Sequence, residues 1–89
     1  MSQPTTVKVY TIPNCPFCTN AKNLLADQKI DFEEIHIDRS DEARRAELSK
    51  LSGMKTFPQI FFGKKVIGGF TDLKQLHDTV GLKSALNAV

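Results

Sequence analysis

Cys15-Pro16-Phe17-Cys18 sets the only two cysteines of the chain three residues apart, directly after a short apolar run. That run, Val7 to Ile12 (VKVYTI), is β-branched and apolar enough for a buried strand, and after Cys15 the apolar positions switch to helical spacing. A strand therefore delivers Cys15 to a helix start. Pro16 suits the first helical position, where its missing N–H would have had no intrahelical partner, so Cys15 falls at or next to the N-cap. Backbone N–H groups and the positive end of the helix dipole then face its sulfur. They favour the thiolate, the form that attacks disulfides. Cys15 reads as the nucleophile. Cys18, one turn further along the same face, lies within reach of the Cys15 sulfur and reads as the resolving thiol.

Two plainer uses of the pair fit less well. A structural zinc site needs two further ligands, and the only histidines, His36 and His77, are far apart and lack zinc-site spacing. A structural disulfide across so short a loop removes little unfolded-state entropy and strains the bridge. His36 and His77 themselves read as ordinary strand and helix residues with no companion for general-base work.

An 89-residue chain that is 40% apolar supports one modest core, so residues 1–89 are expected to form a single domain. Twelve basic and ten acidic residues give a net charge of +2, too balanced to point to nucleic acid, though a small anionic ligand is compatible with it. Met1 to Thr6 is polar and lacks the basic-then-apolar pattern of a leader, and no segment reaches membrane-spanning length. The cytoplasm is the expected compartment. A C-x-x-C pair there cycles instead of serving as a staple.

Working outward, Cys18, Ala21, Leu24 and Leu25 predict a helix from about Pro16 to Gln28. Phe32, Ile35 and Ile37 predict a second strand, parallel to the first because a helix joins them. Ser40 with Asp41 and Glu42 starts a second helix over about 41–51, with Ala43, Ala46, Leu48 and Leu51 as its apolar side and Gly53 as its stop. Pro58 precedes the strand-like Gln59-Ile60-Phe61-Phe62, and Gly63-Lys64 turns the chain into Lys65-Val66-Ile67, a β-hairpin. Gly68-Gly69 breaks the strand. Thr71 or Asp72 then caps a third helix carrying Leu73, Leu76 and Val80, which Gly81 ends, and Leu82 to Ala88 adds a short terminal helix. The class is α/β, in the order β-α-β-α-β-β-α plus that last helix, without repeats or linkers.

This order, with C-P-F-C after the first strand, resembles the thioredoxin fold, a four-stranded mixed sheet flanked by helices. Two further motifs narrow the resemblance to the glutaredoxins. Thr56-Phe57-Pro58 is similar to the family's T-V-P, and Gly68-Gly69-Phe70-Thr71-Asp72 to its G-G-x-[ST]-D; the likeness covers about Val7 to Leu86. It implies a glutathione-dependent thiol-disulfide oxidoreductase that reduces glutathione mixed disulfides and protein disulfides. Glutathione is then a co-substrate, with no tightly bound cofactor and no metal, and the chain is expected to act as a monomer on glutathionylated or disulfide-containing proteins.

The resemblance also implies a glutathione site made of Phe17, Arg45, Thr56, Phe57, Pro58, Gly69, Thr71 and Asp72. Pro58 is expected to be cis, bringing the backbone of Phe57 beside Cys15 to pair with the cysteinyl part of glutathione. The N–H groups of Thr71 and Asp72 can hold the γ-glutamyl carboxylate and the Asp72 carboxylate its ammonium. Arg45, with Lys55 as a second candidate cation, would meet the glycine carboxylate. Three positions depart from the family pattern: Ile12 stands where many relatives have Lys or Arg, Phe17 replaces Tyr, and Phe57 replaces Val. Two other activities remain compatible, an iron-sulfur carrier using Cys15 and glutathione, and a redoxin recharged by thioredoxin reductase. Pro16 and Cys18 weigh against the first, the Gly-Gly-Phe-Thr-Asp segment against the second.

Overall fold

The computed structural model describes residues 5–88; Met1 to Pro4, part of the polar start read above, lie outside the described residues. Two strands enclose the first helix: β1 (Val7–Thr11), α1 (Pro16–Asp27) and β2 (Glu33–His36). They are followed by α2 (Glu42–Ser52), β3 (Gln59–Phe62), β4 (Lys65–Gly68), α3 (Phe70–Thr79) and α4 (Leu82–Ala88). The sheet order is β2-β1-β3-β4, with β1 and β2 parallel and the other two pairings antiparallel. This is the α/β thioredoxin-like fold expected from the sequence.

Alternation along the strands sends Val7, Val9, Ile60 and Phe62 to one face, where they meet Ala21 and Leu25 of α1, Leu73 of α3, and Leu82 and Leu86 of α4. Full burial of Leu25 or Phe62 contributes about 1.5–3 kcal/mol each, and both are 0% exposed. That cluster fixes α1, and with it the end of β1 that carries Cys15. On the other face Tyr10 and Phe61 meet edge to face, with ring centroids 5.4 Å apart.

Turn chemistry sits where the sequence places it. Gly53 ends α2 in the left-handed region (φ 73°), its N–H donating to Ser49 O at 2.8 Å. Gly63 (φ 64°) turns the hairpin.

Several expectations need correction. Thr11 ends β1, leaving Ile12 outside, and β2 is a mostly exposed edge strand of four residues that excludes Phe32 and Ile37. Ile37 is nonetheless buried, and its N–H donates to Thr11 O at 2.8 Å. In α2, capped by the Asp41 carboxylate, only Leu48 is buried; Ala43 and Ala46 face out and Leu51 is 70% exposed, so the helix shows no apolar stripe. β4 does end at Gly68, but the N-cap of α3 is Gly69, two residues earlier than Thr71. Val80 is the exposed C-cap of α3 and makes no part of the core.

Candidate functional site around Cys15

Cys15 is the N-cap of α1, with extended backbone (φ −120°, ψ 99°) and Pro16 as the first helical residue. That geometry turns its sulfur back over the helix mouth, where the N–H of Cys18 donates to Sγ at 3.2 Å. On its other side the Cys15 thiol faces the carbonyl of Phe57, at 3.8 Å. Both cysteines are free. Their environments differ: Cys15 is partly exposed, while Cys18 is 3% exposed. Burial, and after it a hydrogen bond from its thiol to Cys15, push the Cys18 thiol up to about 12.

The Phe57–Pro58 peptide bond is cis and Pro58 is buried, as the motif reading requires. Gln59, also buried, steadies this turn by donating from Nε2 to Thr56 O (3.1 Å) and Met54 O (3.3 Å). Thr56 is exposed beside it. Phe57, Arg45 and Lys55 line one cleft of about 360 Å³ together with Glu42, Met54 and Gln59.

Next to the turn, Gly69 is close enough to Pro58 that an added Cβ would touch its carbonyl at 3.6 Å. Asp72 reaches back from the first turn of α3, its Oδ2 accepting from Gly69 N–H at 3.0 Å. Oδ2 is thus engaged as a helix cap. The Thr71 and Asp72 N–H groups fall in the first turn of α3, free of intrahelical partners. Phe17, 58% exposed, stacks on Phe70 with centroids 6.3 Å apart and planes 24° from parallel, building an apolar wall beside the cysteines.

Sequence reasoning missed several contributors. Arg39, in the loop after β2, donates to Pro13 O through Nε (3.0 Å) and Nη2 (2.7 Å), clamping the loop that leads into Cys15. Phe70 was a spacer in its motif, yet it carries the Phe17 stack. His36 Nδ1 lies 3.0 Å from the Thr11 hydroxyl. The one available signal was Gln59, a polar residue inside a strongly apolar strand; the others are tertiary pairings that leave no mark on the local pattern.

The described residues include no helix long and apolar enough to cross a membrane. A model of the family "Glutaredoxin" matches residues 7–67. A glutaredoxin of Neisseria meningitidis serogroup A is 48% identical over 83 residues, covering 92% of this chain and 96% of that protein. The solution structure of a glutaredoxin from Brucella melitensis superimposes with a TM-score of 0.78 at 43% identity, over 97% of this chain and 89% of that one. A buckwheat glutaredoxin–glutathione complex superimposes with a TM-score of 0.84 at 26% identity, over 94% of this chain and 78% of that one. With relatives matched nearly end to end and a C-x-x-C pair at the helix mouth, one assignment follows: the chain belongs to the glutaredoxin family.

Proposed function

We propose that in this glutathione-dependent thiol-disulfide oxidoreductase Cys15 is the nucleophile and Cys18 the resolving thiol. The observation that carries the proposal is the inequality of the two sulfurs. Cys15 stands at the surface and receives a backbone N–H, whereas Cys18 is buried and held as the thiol. A donor aimed at sulfur is strongest when that sulfur is charged, so the helix mouth favours the attacking form of Cys15.

With a glutathionylated protein, Cys15 thiolate attacks the glutathione sulfur, and the protein sulfur leaves with the bonding pair and takes up a proton. A second glutathione then attacks the Cys15 adduct, releasing oxidised glutathione and regenerating the thiolate. With a protein disulfide, Cys15 forms the mixed bond first. Cys18 loses its proton and attacks Cys15 Sγ; the protein thiol leaves, and two glutathiones later reduce the Cys15–Cys18 bridge.

Glutathione would lie across the loops described above. Its cysteinyl backbone pairs with Phe57, between Thr56 and Pro58; its γ-glutamyl carboxylate meets the Thr71 and Asp72 N–H groups beside Gly69; its ammonium meets Asp72. Its glycine carboxylate faces Arg45, helped by Lys55, and Phe17 walls the sulfur. That a buckwheat relative forms a complex with glutathione supports glutathione as the ligand. Glutathionylated and disulfide-containing proteins are the proposed partners, a reducing compartment such as the cytoplasm the proposed location, and the monomer the proposed working form.

Cys15→Ser is expected to abolish all turnover. Cys18→Ser is expected to keep deglutathionylation, lose most protein-disulfide reduction, and yield a single glutathione adduct on Cys15 by mass spectrometry. Turnover retained in Cys15→Ser would overturn the assignment.

A further inference from the structure

A cleft of about 540 Å³ opens on the β2 side of the cysteines, lined among others by Cys15, Cys18, Thr11, Lys22, Glu34 and His36. The function above uses only its two sulfurs. Lys22 follows Cys18 by one helical turn, so the two side chains stand together on one face of α1. From β2, Glu34 Oε2 meets Lys22 Nζ at 3.1 Å and accepts from the Thr11 hydroxyl at 2.8 Å. That hydroxyl has one proton to give, so toward His36 Nδ1, 3.0 Å away, it accepts, which assigns the ring proton to Nδ1. Thr11 is 1% exposed. Three elements thus hold an ammonium in a fixed place beside the resolving thiol. The Thr11 bond and then Lys22 keep the Glu34 carboxyl below its ordinary range, so the ion pair persists at neutral pH.

Cys18 has to ionise before it attacks, and burial opposes that. In the resting protein Cys15 opposes it too, by accepting the Cys18 proton and by its own charge. Once Cys15 is joined to a substrate sulfur, both of those influences vanish. What then favours a Cys18 thiolate is the backbone N–H of Ile12 and the Lys22 charge, and Lys22 is the only side chain of the two.

We infer that Lys22 is a positioning residue for the resolving step, its ammonium stabilising the thiolate that forms on Cys18, and that Glu34 sets the strength of that charge by pairing with it. The inference rests on Cys15 being the nucleophile and Cys18 the resolving thiol. In the step itself Cys18 gives its proton to water in the cleft and its sulfur attacks Cys15 Sγ. The Cys15–substrate S–S bond breaks, and its electron pair leaves with the substrate sulfur, which is protonated; the Cys15–Cys18 bond forms. The titratable groups that line the cleft with Cys18 are Cys15 at the mouth of α1, Lys22 from α1, and Glu34 and His36 from β2.

The experiment is single-turnover mixing of the reduced protein with oxidised glutathione, quenched in acid and resolved by mass. The rise of the Cys15 adduct reports the first attack and its decay the second. A partly exposed charge one helical turn away is worth about two- to fivefold in rate. Lys22→Met is therefore expected to slow adduct decay two- to fivefold across pH 6.5–9, shifting the pH–rate line down without changing adduct formation. Lys22→Arg is expected to restore the rate, and Glu34→Gln to accelerate decay by unmasking the ammonium. In a Cys18→Ser background Lys22→Met is expected to leave adduct formation unchanged. Unaltered decay in Lys22→Met, a parallel slowing in Glu34→Gln, or an equal slowing of adduct formation would each overturn the inference, the last two by showing a merely structural ion pair. Failure of any adduct to form on Cys15 would instead sink the assignment beneath it.

Discussion

Gly68→Ala probes how the loop between β4 and α3 is built. Gly68 has φ +125°, a region that side chains of L residues avoid, and a Cβ there would run into the Asp72 carboxylate. That carboxylate is occupied, since it accepts the Gly69 N–H at 3.0 Å. Holding alanine at such a φ costs about 1–2 kcal/mol, and displacing Asp72 from its capping bond costs about 1 kcal/mol more. The sum, about 2–3 kcal/mol, lowers the melting midpoint of a chain this size by about 10–20 °C. The two parts are separable. Asp72→Ala loses the cap alone, and in that background Gly68→Ala meets no carboxylate and pays only the backbone part. The double variant is therefore expected to lie about 1 kcal/mol above the additive value. Urea melts of the four proteins under reducing conditions measure this directly. Additivity within about 0.3 kcal/mol would refute the collision and leave backbone conformation as the whole effect.

Two other perturbations read the site itself. Because folding raises the Cys18 thiol to about 12, above its ordinary 9.0, its contribution to stability is complete below pH 9 and is lost as pH rises toward 12. Above pH 9 the unfolded chain releases this proton while the folded chain keeps it, so reduced wild type is expected to lose more stability between pH 9 and 11 than Cys18→Ala; equal losses in thermal melts would contradict this. Arg39→Gln breaks the clamp on Pro13 and, through the longer 3.4 Å contact, on Asn14. It is expected to cost about 1 kcal/mol in a urea melt and to slow alkylation of Cys15; an unchanged alkylation rate would show that the loop holds its shape unaided.

Most of the fold was legible because punctuation carried it. Pro16, Gly53, Gly63 and Gly81 each fix a boundary by backbone chemistry that is local, and each lies where it was read. Burial was less legible where a helix is weakly covered. Ala43, Ala46 and Leu51 are apolar yet exposed, since α2 anchors through Leu48 alone. The start of α3 was set two residues late because Thr71 and Asp72 both look like caps. Here Asp72 serves from the third helical position by reaching back to Gly69, a role its identity alone does not distinguish. At the site, the cysteines, the cis proline and the glycine pair were written in motifs. Arg39 on Pro13, Phe17 on Phe70 and the Lys22–Glu34–Thr11–His36 chain were not, because periodicity reports which face a residue takes and never whom it meets there.

The division of labour between two chemically identical side chains follows from their offset on one helix. At the N-cap the backbone is still extended, so the Cys15 side chain turns outward across the helix mouth, where its sulfur shares the Cys18 N–H with the Cys15 carbonyl, at 3.2 and 3.1 Å. Three residues later the backbone is helical, and the Cβ of Cys18 leans back toward the N-terminus and into the protein. Burial favours the protonated form of Cys18, and a protonated thiol does not compete for an incoming disulfide, which is why the proposed point of entry is Cys15. After it has entered, proximity reverses the advantage, because Cys18 is tethered within reach of the mixed disulfide and no external thiol matches that effective concentration. The burial that guards the first step retards the second. On the proposed roles a cation one turn away would relieve that conflict without exposing the sulfur, and Lys22, held by Glu34 at 3.1 Å, is placed to supply it.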